Sequence, residues 1–226
     1  MDKIPFTVYD FFAYLSSGSI WLATTDYIFS LGLMTRERIA PAMAILLVVL
    51  AYVCGHIVAH FSSFILEQWI VGRVLKRPIN ILLGGEPRWK VLKLFFPHYF
   101  RGLPEGIQER VRTQAQTRGI VGNGEGLFLH AYSIVTKNGA IQARLDEFRN
   151  QYGFARNMSL AFLSSSLVIL VSYFASGHLG SSRWIWISAA AGLALFYRYL
   201  KFFRQYSYEL LIRYSELQPP GEGQTT

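Results

Sequence analysis

The sequence contains few charged residues and a single cysteine. Asp, Glu, Lys and Arg make up 16% of the 226 residues, against about 25% in an ordinary soluble domain. Cys54 has no second cysteine with which to form an intrachain disulfide. The sequence also lacks a G-x-S-x-G motif, a Cys-x-x-Cys motif, a P-loop and a Gly-rich nucleotide fingerprint. These absences argue against a soluble enzyme and favour a non-enzymatic role.

Charge is missing most completely from Ala40 to Leu66, a run of 27 residues without Asp, Glu, Lys or Arg. A bilayer core about 30 Å thick needs roughly 20 apolar residues in a helix, so this run predicts a membrane span. Phe11 to Leu33 precedes it and contains Asp26 as its only charged residue. The short turn between the two runs predicts that they form a helical hairpin.

A second hairpin is predicted near the end of the chain. No proline interrupts the sequence from Ala140 to Phe174, which predicts one long helix whose last part, Met158 to Phe174, spans the membrane. A fourth span runs from Trp184 to about Phe203, provided that Arg198 and Lys201 extend toward the surface.

The positive charge is concentrated in one internal block. Val71 to Asn157 holds 14 Lys and Arg against 6 Asp and Glu, whereas the short connections hold few. Basic loops stay on the cytoplasmic side, which predicts an inner-membrane, multi-pass protein with both termini in the cytoplasm. Anionic lipid head groups are the expected partner of this block, rather than nucleic acid.

The predicted fold is therefore an all-α polytopic membrane protein, with four transmembrane helices arranged as two hairpins and a helical cytoplasmic insertion between them. The predicted divisions are a first transmembrane hairpin (1–70), a basic cytoplasmic unit (71–157), a second hairpin with a C-terminal helical extension (158–217) and a disordered tail (218–226).

Within the cytoplasmic unit, one proline-punctuated stretch alternates apolar and basic residues. This pattern is typical of an element that lies on a membrane surface, with apolar side chains in the head-group layer and basic ones against phosphates. The apolar members are Trp89, Leu92, Leu94 and Phe95, and the basic members are Arg88, Lys90 and Lys93.

A polar stripe is predicted along one face of the second span. His56, His60, Ser63 and Glu67 follow α-helical spacing. The stripe could bind a metal, conduct protons or ions, or form hydrogen bonds between helices. Ile57 occupies the position that a zincin motif gives to glutamate, so metalloprotease chemistry is not supported, and no cofactor is expected.

Asp26 is a second intramembrane candidate, because carboxylates inside spans are often functional. Its depth differs from that of His56, so a direct pair between them is not expected; it could instead reach Arg36 or Arg38. Asp10, at the inner interface, is the better-placed partner for the stripe.

In the cytoplasmic region, Arg149 and Asn150 recur seven residues later as Arg156 and Asn157, with Gly153 between them. This spacing predicts a close helix contact, either with another subunit or with the helix that follows Pro104. Together with Lys76 and Arg77, these residues are candidates for a cytoplasmic ligand site or interface.

Two stretches carry a resemblance: YVCGHIVAHFSSFILEQWIVGRVLKRP and ARLDEFRNQYGFARNMSLAFL. In these the chain resembles a scattered group of uncharacterised bacterial four-span inner-membrane proteins. In outline it also resembles the membrane effectors of phage-defence systems. The resemblance implies bacterial origin and topology.

The sequence thus favours a homo-oligomeric channel or membrane effector, regulated by an anionic ligand or a cytoplasmic protein. Two alternatives remain open. One is a membrane-embedded metal-binding protein or enzyme that uses the face of His56, His60 and Glu67. The other is a membrane anchor or scaffold for a cytoplasmic partner.

Overall fold

The computed structural model describes residues 8–33, 36, 39–120, 124–176 and 182–217. Every regular element in these residues is a helix, which confirms the all-α prediction. The predicted tail 218–226 and the side chain of Asp10 lie outside the described part. The helices are α1 (Val8–Phe29), α2 (Pro41–Ser62), a π-helical segment (Ser63–Leu75), α3 (Pro78–Leu82), α4 (Leu92–Phe95), α5 (Glu105–Thr117), α6 (Glu125–Val135), α7 (Gly139–Ser176) and α8 (Ser182–Ser215).

Two helices among the described residues are long and apolar enough to cross a membrane, Pro41–Leu82 and Gly139–Ala175. In the most apolar 18-residue stretch of each helix, only 17% and 28%, respectively, is buried within the chain. A core helix of a soluble protein would be mostly buried, so these exposed apolar faces favour contact with lipid. Helices α1 and α8, in which the other two spans were predicted, are not both long and apolar enough in the same sense. The structure therefore supports two of the four predicted spans.

The predicted long helix is confirmed as α7, which runs for 38 residues without a break. Asn138 begins it, because its side-chain Oδ1 accepts hydrogen bonds from the backbone N–H groups of Ala140 and Ile141, at 3.0 and 3.4 Å. A short polar side chain in this position satisfies donors that have no partner within the helix.

The chain forms two compact units. Unit 1 comprises Met1–Gln68 and Asn150–Tyr199, and unit 2 comprises Trp69–Arg149 and Leu200–Thr226. These divisions do not test the predicted domain bounds, which stay a prediction.

Helices in unit 1 are joined by hydroxyl groups and small residues. Thr24 donates a hydrogen bond to Ser165 at 2.8 Å, which joins α1 to α7, and Ser159 donates to the Gly192 carbonyl at 2.9 Å, which joins α7 to α8. Such contacts are the usual means of holding helices together where lipid removes the hydrophobic driving force.

Unit 2 has an aliphatic core. On α5, Val111 and Ala115 are buried, and helix α5 begins directly after Pro104. The Leu103 backbone N–H donates to the Leu82 carbonyl at 3.0 Å and ties the preceding loop to α3. Further fully buried side chains are Leu83, Leu127, Leu145, Leu210 and Leu211.

Candidate functional site

Two glycines bring α1 and α2 into close contact. A Cβ atom built on Gly18 would lie 1.7 Å from the Ala51 carbonyl oxygen, and one built on Gly55 would lie 1.9 Å from the Tyr14 carbonyl oxygen. Only hydrogen fits at both positions, so the two backbones approach more closely than any other residue would allow. The face of α1 that contains Gly18 is therefore the face that packs on α2.

This contact determines the surroundings of His56. The imidazole stacks on the Tyr14 ring with centroids 4.0 Å apart and meets the Tyr52 ring edge-on at 4.6 Å. His60, one turn further, is exposed. Across the described residues, no three His, Cys, Asp or Glu side chains are grouped closely enough to hold a metal ion. The two histidines of the stripe therefore lie in different environments.

A buried polar cluster lies where α2 changes into the π-helical segment. The Ser62 hydroxyl donates to the Asn157 Oδ1 at 2.6 Å and accepts from the Arg156 Nε at 3.2 Å. Arg156 Nη1 also forms a salt bridge with Glu67 Oε2. We call these four residues, Ser62, Glu67, Arg156 and Asn157, the polar node.

The polar node is partly shielded from solvent. Ser62 is fully buried and Asn157 is 3% exposed, whereas the side chains of Arg156 and Glu67 are 15% and 29% exposed. A buried ion pair is costly to desolvate, and its retention inside apolar helices needs hydrogen bonds of the kind that Ser62 supplies. The planar guanidinium of Arg156 presents Nη1 to the carboxylate and Nε to the hydroxyl in a fixed geometry, which the compact ammonium group of a lysine does not reproduce.

Three of the four residues of the polar node are site residues predicted from the sequence, but the sequence did not predict that they contact one another. Glu67 was placed on the stripe, and Arg156 and Asn157 were placed in a cytoplasmic site. Ser62 was missed because the stripe was counted from His56, which selects Ser63, a residue that is only partly buried. Ser62 instead continues the buried face of α2, which follows Ala51, Gly55 and Val58 at α-helical spacing. The 13-residue π-helical segment begins one residue later, at Ser63, so residue spacing changes only from there toward Glu67. Such segments are rare and often occur at functional sites.

Asp26 has a local structural role. It is 8% exposed, and its Oδ1 accepts a hydrogen bond at 2.8 Å from the backbone N–H of Leu33, beyond the end of α1. Arg38 lies outside the described residues. Asp26 also borders an apolar cavity of about 200 Å³ between α1 and α2, whose other lining residues include Leu15, Ser19, Leu22, Leu47 and Val48.

The remaining predicted cytoplasmic residues of unit 2 lie in separate contacts. Arg77 pairs with Glu125 at 2.9 Å, and Arg149 pairs with Asp146 at 3.0 Å. The Lys76 carbonyl accepts a hydrogen bond at 2.7 Å from the hydroxyl of Tyr99, whose pKa is raised by burial.

The predicted close contact at Gly153 is not made within the described chain, because a Cβ atom there would meet nothing within 4 Å. Asn150 is partly buried, in contrast to the buried Asn157, although the seven-residue spacing predicted one shared face. A contact of this region with another subunit stays a prediction.

No family model, curated protein or solved structure matches the chain. The resemblance to bacterial four-span proteins therefore stays a prediction, and the function has to be inferred from the residues themselves.

Proposed function

We propose that the chain is a multi-span inner-membrane protein that acts as a non-enzymatic, homo-oligomeric channel or membrane effector, regulated through its basic cytoplasmic region. The observation that supports this most is the polar node. It places an ion pair in the interior of unit 1, between two helices apolar enough to cross a membrane. Ionisable groups in such helices commonly mark an ion path or a switch.

The packing of unit 1 supports four spans rather than two. α1 contacts α2 through the glycines and α7 through Thr24, while α8 contacts α7 through Gly192. A bilayer that contains α2 and α7 would therefore also surround α1 and the first part of α8. Apolar side chains on the outer surfaces of these two helices, Phe12, Phe29, Trp184 and Trp186, are more than half exposed and suit contact with lipid and its interface.

The surface of unit 2 supports a cytoplasmic region that lies on the membrane. Leu94 is 78% exposed and Phe95 59% exposed, next to Lys93 in the short helix α4. Exposed apolar side chains beside basic ones match the boundary between acyl chains and anionic head groups.

In the proposed mechanism the polar node keeps the bundle closed. Arg156 neutralises Glu67 and also binds Ser62, so separating α2 from α7 would leave both charges without partners in an apolar environment. A signal from the cytoplasmic region would open the bundle by favouring the state in which this pair is broken.

Liposome leakage tests this proposal. Purified chain reconstituted in vesicles of phosphatidylethanolamine and phosphatidylglycerol is expected to release a trapped ion at a low basal rate without added metal, because the polar node favours the closed bundle. Glu67→Gln removes the carboxylate charge of the polar node and should increase the leak. The matched control is Asp146→Asn, which removes a carboxylate from an exposed ion pair on the same helix as Arg156.

Equal leakage from both variants would contradict the role of the polar node, and no leak from any variant would contradict the channel itself. The metal-binding alternative predicts a different result, namely stoichiometric zinc or iron that is lost in His56→Ala. Topology is tested separately by cysteine labelling at Arg36 and Lys137 in a Cys54→Ala background. Labelling of position 137 from outside intact cells would contradict the cytoplasmic placement.

A further inference from the structure

Helix α2 has one exposed face with a regular spacing. Its buried residues, which lie on the side that packs within unit 1, are Ala51, Gly55, Val58 and Ser62. Five exposed residues follow one another on the opposite side of the helix, at intervals of four, three, four and three residues. We call them the α2 seam, and they are Leu46, Leu50, Val53, Ile57 and His60.

The spacing of the α2 seam suits contact with another helix. Its intervals average 3.5 residues, which is the repeat that keeps one face of a helix against a partner helix. The four apolar members are between 42% and 53% exposed. From residue 46 to residue 60 the helix rises about 21 Å, whereas the hydrocarbon core is about 30 Å thick. A second helix would therefore contact the seam through about two-thirds of that core.

His60 is the polar member of the α2 seam. Its imidazole meets the neighbouring Phe61 ring edge-on, with centroids 5.9 Å apart, and forms no hydrogen bond with any other residue in the described part of the chain. It lies seven residues before Glu67, inside the run that contains no Asp, Glu, Lys or Arg. Acyl chains offer an imidazole no hydrogen bond, and polar groups within spans usually face another helix. A helix is therefore a better cover for the seam than lipid.

A second copy of the chain supplies the partner that His60 lacks. Two copies inserted with the same topology are parallel, so a two-fold axis along the membrane normal places the His60 side chains of the two copies opposite each other. A neutral imidazole has one nitrogen that donates and one that accepts, which makes it complementary to a copy of itself. An unrelated helix would need a polar side chain at this one depth and apolar side chains at the four other layers.

We propose that two copies of the chain pair through the α2 seam, with a hydrogen bond between their His60 side chains. A single polar residue among apolar layers fixes the register of such a pair. The seam faces away from Ser62, so pairing leaves the polar node intact. The proposal rests on the membrane placement and the homo-oligomeric part of the proposed function, but not on ion conduction.

Energy transfer between labelled full chains tests the pairing. Donor and acceptor dyes on Lys137→Cys, in a Cys54→Ala background, are mixed in vesicles of phosphatidylethanolamine and phosphatidylglycerol. Transfer should exceed that of randomly mixed chains and fall as lipid is added. His60→Leu should weaken the pair about three- to tenfold, because it removes the hydrogen bond between the helices. His60→Asn should retain the pair, because an amide also donates and accepts.

These two substitutions separate hydrogen bonding from apolar packing. If packing alone held the copies together, leucine would pair at least as well as asparagine. Because the side chain of His60 is exposed in one copy, neither substitution disturbs the packing within unit 1.

Disulfide crosslinking tests which face of α2 is used. Leu46 precedes His60 by two seven-residue repeats and so shares its position in the seam. A disulfide requires the two Cα atoms to lie within about 7 Å, so mild oxidation of Leu46→Cys in the Cys54→Ala background should link the copies. Ile45→Cys is the matched control, since Ile45 is 67% exposed but points about 100° away around the helix. It should stay largely unlinked.

Transfer that is lost in His60→Leu and kept in His60→Asn, together with selective linking at position 46, supports the proposal. Transfer no greater than in random mixtures, or equal linking at positions 45 and 46, would overturn the seam as the interface. Pairing that is unchanged in His60→Leu would overturn the hydrogen bond. A chain that pairs without leaking ions contradicts only the channel, whereas a chain that leaks without pairing contradicts only this interface.

Discussion

Gly55→Ala should separate α1 from α2. The added methyl group would lie 1.9 Å from the Tyr14 carbonyl oxygen and 2.5 Å from its carbonyl carbon. Both are backbone atoms, so no side-chain rotation can relieve the overlap. The helices would have to move apart by more than about 1 Å, which would also disturb the stacking of His56 on Tyr14. Overpacking of this kind typically costs about 1 to 3 kcal/mol.

Gly153→Ala is the matched control, because it adds the same methyl group to another glycine inside a helix. A Cβ atom there meets nothing within 4 Å, so no steric cost is expected. Alanine also forms helices better than glycine, by about 0.5 to 1 kcal/mol. The same substitution should therefore lower the free energy of unfolding at position 55 and raise it at position 153.

Equilibrium unfolding of the monomeric chain in mixed micelles, followed by circular dichroism while the denaturing detergent is increased, measures both free energies. The reasoning predicts that the two changes have opposite signs. If Gly55→Ala is neutral or stabilising, the close approach of α1 and α2 does not exist, and the environment deduced for His56 is wrong as well.

Three further predictions concern other parts of the chain. Arg156→Gln should lower the free energy of unfolding by about 1 to 3 kcal/mol. Arg156→Lys should not restore it fully, because the compact ammonium group of lysine does not reproduce the planar geometry with which Nε meets Ser62 and Nη1 meets Glu67. A full rescue by lysine in the same unfolding assay would contradict the polar node. Because burial and Arg118 lower the pKa of His130, the unfolded chain binds more protons below about pH 6.5, so stability should fall as the pH decreases from there through the lowered pKa. His130→Gln should reduce the loss of unfolding free energy between pH 7.5 and 5.5. An unchanged pH dependence in this variant would contradict the lowered pKa of His130. In a Cys54→Ala background, an environment-sensitive dye can be attached at Leu94→Cys. Its emission should shift to the blue more in nanodiscs that contain phosphatidylglycerol than in neutral ones, whereas the emission of the same dye at Lys137→Cys should not. Equal shifts at the two positions would contradict the membrane-lying segment.

Local chemistry was sufficient to predict much of the helical layout. Three local features of the sequence predicted helices or helix ends from residues close together in the chain. They are the uncharged run that ends at Leu66, the proline-free stretch from Ala140 and the proline at position 104. They correspond to α2 with its π-helical extension, α7 and the start of α5. Exposure of the apolar segment around Leu94 also follows from its alternation with basic residues.

The partners of the polar residues could not be predicted in this way. Ser62 and Asn157 are separated by 95 residues, and no periodic pattern relates them. Counting in α-helical steps from His56 selected Ser63, whereas the buried face of α2 follows Ala51, Gly55, Val58 and Ser62, also at α-helical spacing. Periodicity identifies residues that share a face, but which face of an apolar helix is buried depends on the helices that pack against it.

What the sequence determined by itself is the apolar, all-helical character of the chain and the position of its basic region, because both depend on composition and on residues close in the chain. Only the tertiary structure decided that Gly18 and Gly55, rather than Gly153, make a close helix contact, that Arg156 neutralises Glu67, and that Arg118, His130 and Tyr214 converge. These facts depend on which helices pack together, and packing is a property of residues far apart in sequence.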